Sequence, residues 1–200
     1  MSFKPIIVVA GEPNSVFFEI FFKALKKKKI KSPIILIASF KLLKLQMKKM
    51  GFKKEINLIT TSDLRKKLSN KSINLFNINF NQKKPFEKIS SRSNNYINKS
   101  FDIALKILKM KITNKLLNGP VSKKYFLKKN FLGVTEYLAN KNKIKKYAML
   151  IYNKNLSVSP VTTHLPIKYV SKNINKKLLK DKISLISQFY KKFLKKKPCI

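Results

Sequence analysis

The chain predicts an α/β fold with a largely parallel sheet. Three observations carry that prediction: short β-branched runs alternate with longer amphipathic segments, the runs are apolar throughout as in strands buried on both faces, and glycines stand at strand ends. With 200 residues, 44% of them hydrophobic, the chain can bury one substantial core, and one or at most two domains are expected.

Lys4 to Ala10 (KPIIVVA) reads as a strand closed by Gly11. Asn14 or Ser15 can cap a following helix that runs to about Lys28 and is apolar on several sides (Val16, Phe17, Phe18, Ile20, Phe21, Phe22, Leu25), so it should be well buried. Pro33 to Ala38 is a second strand, Lys41 to Met50 a helix stopped by Gly51 at C′, and Glu55 to Thr60 a third strand. Residues 81–95 are polar and rich in Ser and Asn without apolar periodicity, which predicts a flexible loop. The next helix carries Ile97, Phe101, Ala104 and Leu108 on one face. Lys115 to Leu117 forms a short strand, Ala148 to Tyr152 and Leu156 to Thr162 form neighbouring strands, and a last helix aligns Leu179, Ile183, Ile186, Tyr190 and Phe193. The chain closes with Pro198-Cys199-Ile200, which after Lys197 reads as the start of another strand.

The formal charge of +38 invites a polyanion-binding reading, because clustered cations release counterions from phosphate backbones. Nearly all the cations are lysine, with Arg65 and Arg92 the exceptions, and Asn, Ile and Phe are abundant while Gly is scarce. These are the residues of A/T-rich codons, so most of the charge is read as compositional drift. Arginine forks and aromatics interleaved with basic runs, which base readout favours, are missing, and specific nucleic-acid binding is not expected. The Lys runs 26–29 and 195–197 fall at helix C-termini, where cations suit the helix dipole. Cys199 has no cysteine to pair with, and the chain lacks a signal-peptide pattern and a membrane span, so a cytoplasmic protein is expected.

Three segments could carry chemistry, each expected to follow a strand at one edge of the sheet. Gly11-Glu12-Pro13-Asn14-Ser15 offers a tight turn and free helix N–H groups. Asn118-Gly119-Pro120-Val121-Ser122-Lys123 offers exposed backbone, a hydroxyl and a cation, suited to a phosphate or to a plain structural turn. Thr162-Thr163-His164-Leu165-Pro166 holds the only histidine, which can ligate a divalent metal but cannot make a site alone.

These motifs, together with Gly133-Val134-Thr135-Glu136-Tyr137, occur in an order and at separations that resemble the 4-hydroxythreonine-4-phosphate dehydrogenase family of vitamin B6 biosynthesis. The resemblance implies an isocitrate/isopropylmalate dehydrogenase-like α/β/α sandwich, incomplete at the C-terminus, with residues 1–200 a single α/β unit matching the N-terminal part of a two-domain enzyme. It implies a homodimer or a missing C-terminal half as partner. It further implies oxidation of 4-phosphooxy-L-threonine by NAD or NADP, then decarboxylation to 3-amino-2-oxopropyl phosphate, with a divalent metal (Zn, Mg or Co) as Lewis acid. By the same resemblance His164 matches one of three histidine metal ligands and Thr135 a substrate-binding threonine. Val134 stands where the family usually has histidine, which raises the alternative of another phosphorylated hydroxy acid such as a threonate phosphate. The other histidine ligands and much of the cofactor site belong to a part of the family chain not matched here, so the chain is expected to be a fragment or split half that does not catalyse alone. A contrasting expectation is a catalytically dead, Lys-rich binding protein.

Overall fold

A computed structural model describes residues 3–27, 30–128 and 130–200. They form two compact units, Met1–Phe126 and Leu127–Ile200.

The first unit is built on a five-stranded parallel sheet of order β3-β4-β2-β1-β5. Its elements are β1 (Ile6–Val9), α1 (Phe17–Lys27), β2 (Ile34–Ala38), α2 (Phe40–Lys49), β3 (Ile56–Ile59), β4 (Ile73–Asn77), α3 (Asn94–Lys109) and β5 (Leu116–Asn118). Strand alternation sorts the core by residue parity. Val8, Leu36, Ala38, Ile73 and Leu75 pack with Phe18, Phe21 and Phe22 of α1 and Leu43 and Met47 of α2. Ile7, Val9, Ile35 and Ile37 therefore face the other side, where α3 lies against β1 and β2 with Ile97, Phe101 and Ala104 buried. All five residues of β2 are buried, as a central parallel strand between two layers requires. Full burial of a large apolar side chain stabilises by roughly 1.5–3 kcal/mol, so this stretch contributes far more than its length suggests.

Several expectations change. The strand β4 has no counterpart in the sequence pattern, because Asn74 interrupts its apolar run and asparagine is depleted in strands. Asn74 is fully buried and donates through Nδ2 to Ile34 O at 3.0 Å and Ser69 O at 2.7 Å, which ties the β3–β4 connection to the sheet. The helix α1 is buried on one face only, with Ile20 59% exposed, and the expected end at Lys28 lies outside the described residues, as do Lys28 and Lys29 of the first lysine run. Ser15 rather than Asn14 caps it, its Oγ accepting from Phe17 N at 3.3 Å.

Residues 81–95 are not a free excursion. Asn14 Oδ1 accepts from Gln82 Nε2 and from Glu87 N, each at 2.8 Å, and the buried Gln46 Nε2 donates to Pro13 O and Pro85 O. Periodicity registers only apolar burial, so this polar anchoring leaves no trace in the pattern.

The second unit contains α4 (Val134–Lys141), α5 (Val170–Asn173) and α6 (Lys176–Phe189). Among its described residues the two expected strands reduce to one antiparallel bridge, Ile151–Val158. Leu156 and Val158 are 75% and 54% exposed, so their side chains stay largely in solvent rather than in a core. The α6 stripe forms, continuing through a π-turn at Tyr190–Leu194, but Leu179, Ile183 and Phe193 remain exposed. Pro198, Cys199 and Ile200 are not in a strand. No described helix is long and apolar enough to cross a membrane.

Candidate functional site

Two of the three predicted loops come together at the C-terminal ends of β1 and β5. Gly119 N donates to Val9 O at 2.7 Å, and Glu12 N donates to Pro120 O at 2.8 Å. Gly11 adopts φ +74, and a β-carbon there would stand 2.4 Å from Pro120 O. A β-carbon on Gly119 would stand 2.1 Å from Ala10 O. The glycines are therefore required by close backbone approach at a sheet edge where parallel α/β folds collect ligands.

Glu12 is buried beneath this junction, its Oε2 accepting from Ser93 Oγ at 2.7 Å and its Oε1 from Asn14 N at 3.4 Å. Nearby, Ser39 N donates to the buried hydroxyl of Tyr96, whose ionisation is pushed upward by burial and further by the charge of Glu12. In the second loop Ser122 Oγ accepts from Tyr125 N at 3.1 Å, so that hydroxyl caps the turn that follows.

The third loop lies in the second unit. His164 is exposed, with φ +58, and follows no strand because the expected strand through Thr162 does not form. Beside it, Gly133 precedes α4 in an extended conformation that any residue can adopt. Its lack of a side chain serves space: Glu136 Oε2 and His164 Nε2 each lie 2.9 Å from where a β-carbon would stand. Glu136 is held by Thr163, whose Oγ1 donates to Glu136 Oε1 at 2.9 Å, while the buried Oε2 has no partner among the described residues. Its charge also helps burial push the Tyr147 hydroxyl upward. Val134 and Thr135, the first two residues of α4, are half-buried.

The structure thus joins His164 to the Gly133–Tyr137 motif through Gly133. Glu136 and Thr163 stand in the sequence motifs without a role; the scarcity of acids, eight in the chain, is the signal that Glu136 has one. Ser93, Gln46 and Gln82 carry no such signal. No group of three His, Cys, Asp or Glu residues among the described residues is placed to hold a metal ion, so a three-histidine centre does not fit the residues present.

Residues 29–200 match the model of the pyridoxal phosphate biosynthetic protein PdxA. The chain belongs to the PdxA family. It is 30% identical over 199 residues to a 4-hydroxythreonine-4-phosphate dehydrogenase from Sulfurihydrogenibium sp., covering 98% of this chain and 61% of that protein. It is 23% identical to the enzyme of that name from Vibrio parahaemolyticus, covering 92% of this chain and 56% of the relative. The crystal structure of a 4-hydroxythreonine-4-phosphate dehydrogenase from Klebsiella pneumoniae superposes with a TM-score of 0.81 at 20% identity, covering 94% of this chain and 60% of that one. The likeness to that structure bears out the predicted α/β class. This PdxA-family chain spans about 60% of the length of these relatives.

Proposed function

We propose that this chain forms the N-terminal part of an NAD(P)-dependent 4-hydroxythreonine-4-phosphate dehydrogenase, with the loop pair around Gly133 as one wall of the substrate site. The observation that carries the reading is the convergence of His164 and Glu136 on Gly133 inside the segment matched to the PdxA family. The chemistry assigned to the whole enzyme is oxidation of a secondary alcohol by hydride transfer to NAD or NADP, then loss of CO2 from the resulting β-keto acid.

The chain's own residues bind and orient. Glu136 Oε2, buried and without a partner among the described residues, is an acceptor for a substrate hydroxyl or ammonium group, Thr163 holds that carboxylate in position, and Thr135 offers a hydroxyl one position earlier on α4. His164 is the sole imidazole, so a divalent metal would need ligands from outside this chain, whether from a C-terminal complement or from a partner subunit. Exposure of Leu156, Ile167 and Ile183 in the second unit is consistent with a surface that such a complement covers.

The test is a chimera that joins this chain to the remaining C-terminal part of the Sulfurihydrogenibium relative. Reduction of NAD or NADP with 4-phosphooxy-threonine is expected from the chimera, not from the chain alone, and is expected to vanish in His164→Ala. A folded chimera that binds NAD(P) and turns nothing over would refute the reading, as would tight zinc binding by the chain alone in calorimetry. Val134 favours a second reading, a substrate such as a threonate phosphate, since an apolar side chain replaces a polar contact. Faster turnover of threonate phosphate by the chimera, reversed in Val134→His, would support it.

A further inference from the structure

A cavity in the first unit lies at the N-terminal ends of the strands, the end of the sheet opposite the loops of Gly11 and Gly119. It has a volume of about 960 Å³ and is bordered by residues just before β1, β2 and β4 and by the β3–β4 connection. Lys4, Lys31, Arg65, Lys66, Lys67 and Lys71 line it, six of fourteen lining residues against 46 Lys and Arg in 200 residues overall. No lining residue is acidic. Asp63 pairs with Lys66 at 2.8 Å and offsets one of the six charges. General lysine enrichment would scatter cations over convex surface; here the chain brings cations from three separate segments around one concavity.

Its wall is not wholly polar. Phe3, Leu64 and Ile112 contribute apolar surface, and Lys31 Nζ stands 6.0 Å from the centre of the Phe3 ring. A concavity near the upper end of the range of roughly 300–1,000 Å³ typical of ligand pockets suits a small ligand better than an extended strand. A duplex would need a track of cations spaced along its backbone, and base readout would need arginine forks, of which this cavity holds one.

We infer that this basic cavity binds a small organic polyphosphate, with the nucleoside triphosphates the class that matches it: phosphates against the lysines, ring against the apolar wall. The site is independent of the dehydrogenase reading, since none of its residues belongs to the loops around Gly11, Gly119 or Gly133.

Calorimetry on the full 200-residue chain with ATP, inorganic tripolyphosphate and adenosine tests the inference. One-to-one saturable binding is expected for ATP and, more weakly, for tripolyphosphate. The double variant Lys67→Glu/Lys71→Glu should weaken both by about tenfold or more, because reversing two charges removes two phosphate contacts and adds repulsion. The control Lys172→Glu/Lys176→Glu makes the same change of charge at exposed positions in the second unit and should leave affinity unchanged. Absence of saturable binding, or equal weakening in both double variants, would overturn the inference. So would a random DNA duplex displacing ATP more tightly than tripolyphosphate does, since that would make the cavity part of an extended track.

Discussion

Replacing Gly119 by alanine tests the junction that joins β1 to β5. The new methyl would stand 2.1 Å from Ala10 O and 2.7 Å from Phe17 Cδ2. The first contact is with backbone, so no rotamer change relieves it. Relief requires β5 to move off β1, which weakens the Gly119 N to Val9 O bond at 2.7 Å and the Glu12 N to Pro120 O bond at 2.8 Å. Overpacking alone costs about 1–3 kcal/mol and each weakened bond about 1 kcal/mol, so a loss of about 3–5 kcal/mol is expected. Gly51→Ala is the matched control. Gly51 sits at φ +57 with nothing within 4 Å of where a β-carbon would stand, so the substitution costs only the left-handed strain of about 1–2 kcal/mol. Urea unfolding followed by circular dichroism, with tyrosine fluorescence as a second probe, compares the two. If Gly119→Ala were no more destabilising than Gly51→Ala, the close backbone approach of the two strand-end loops would be wrong.

Asn74→Ala should destabilise the first unit by about 3 kcal/mol, because it leaves the carbonyls of Ile34 and Ser69 without their donor in the sheet interior; denaturant midpoints measure it. Tyr96 should make stability fall at high pH. Its folded-state ionisation is raised by burial, so its contribution is intact below the ordinary tyrosine value near 10 and declines above it, by up to about 1.4 kcal/mol per pH unit. Tyr96→Phe should flatten that decline in stability, followed from neutral pH upward through the tyrosine range. Thr163→Val should free Glu136 Oε1 and shift the His164 ring resonances in NMR while leaving the unfolding midpoint nearly unchanged, since the bond it removes is only partly buried.

The composition and periodicity of the chain by themselves determined the α/β class, the strands β1, β2, β3 and β5, the helices α1, α2 and α3, and the segments that hold Gly11, Gly119 and His164, while the Gly133 segment stood out only through the family resemblance. These were legible because apolar alternation and glycine placement are local: a strand or a tight turn needs particular residues at particular spacings wherever it lies. Only the tertiary structure decided the rest. It made Asn74 a strand residue, since its amide finds carbonyls at Ile34 and Ser69 that its own segment could not reveal. It folded residues 81–95 onto Asn14 and Gln46, and it withheld sheet pairing from the apolar runs around Ile151 and Val158. It also brought Glu136 and His164, far apart in sequence, to one glycine, and gathered cations from three segments around one cavity. Polar anchoring, strand pairing and convergence all depend on partners distant along the chain, and local pattern carries no record of them.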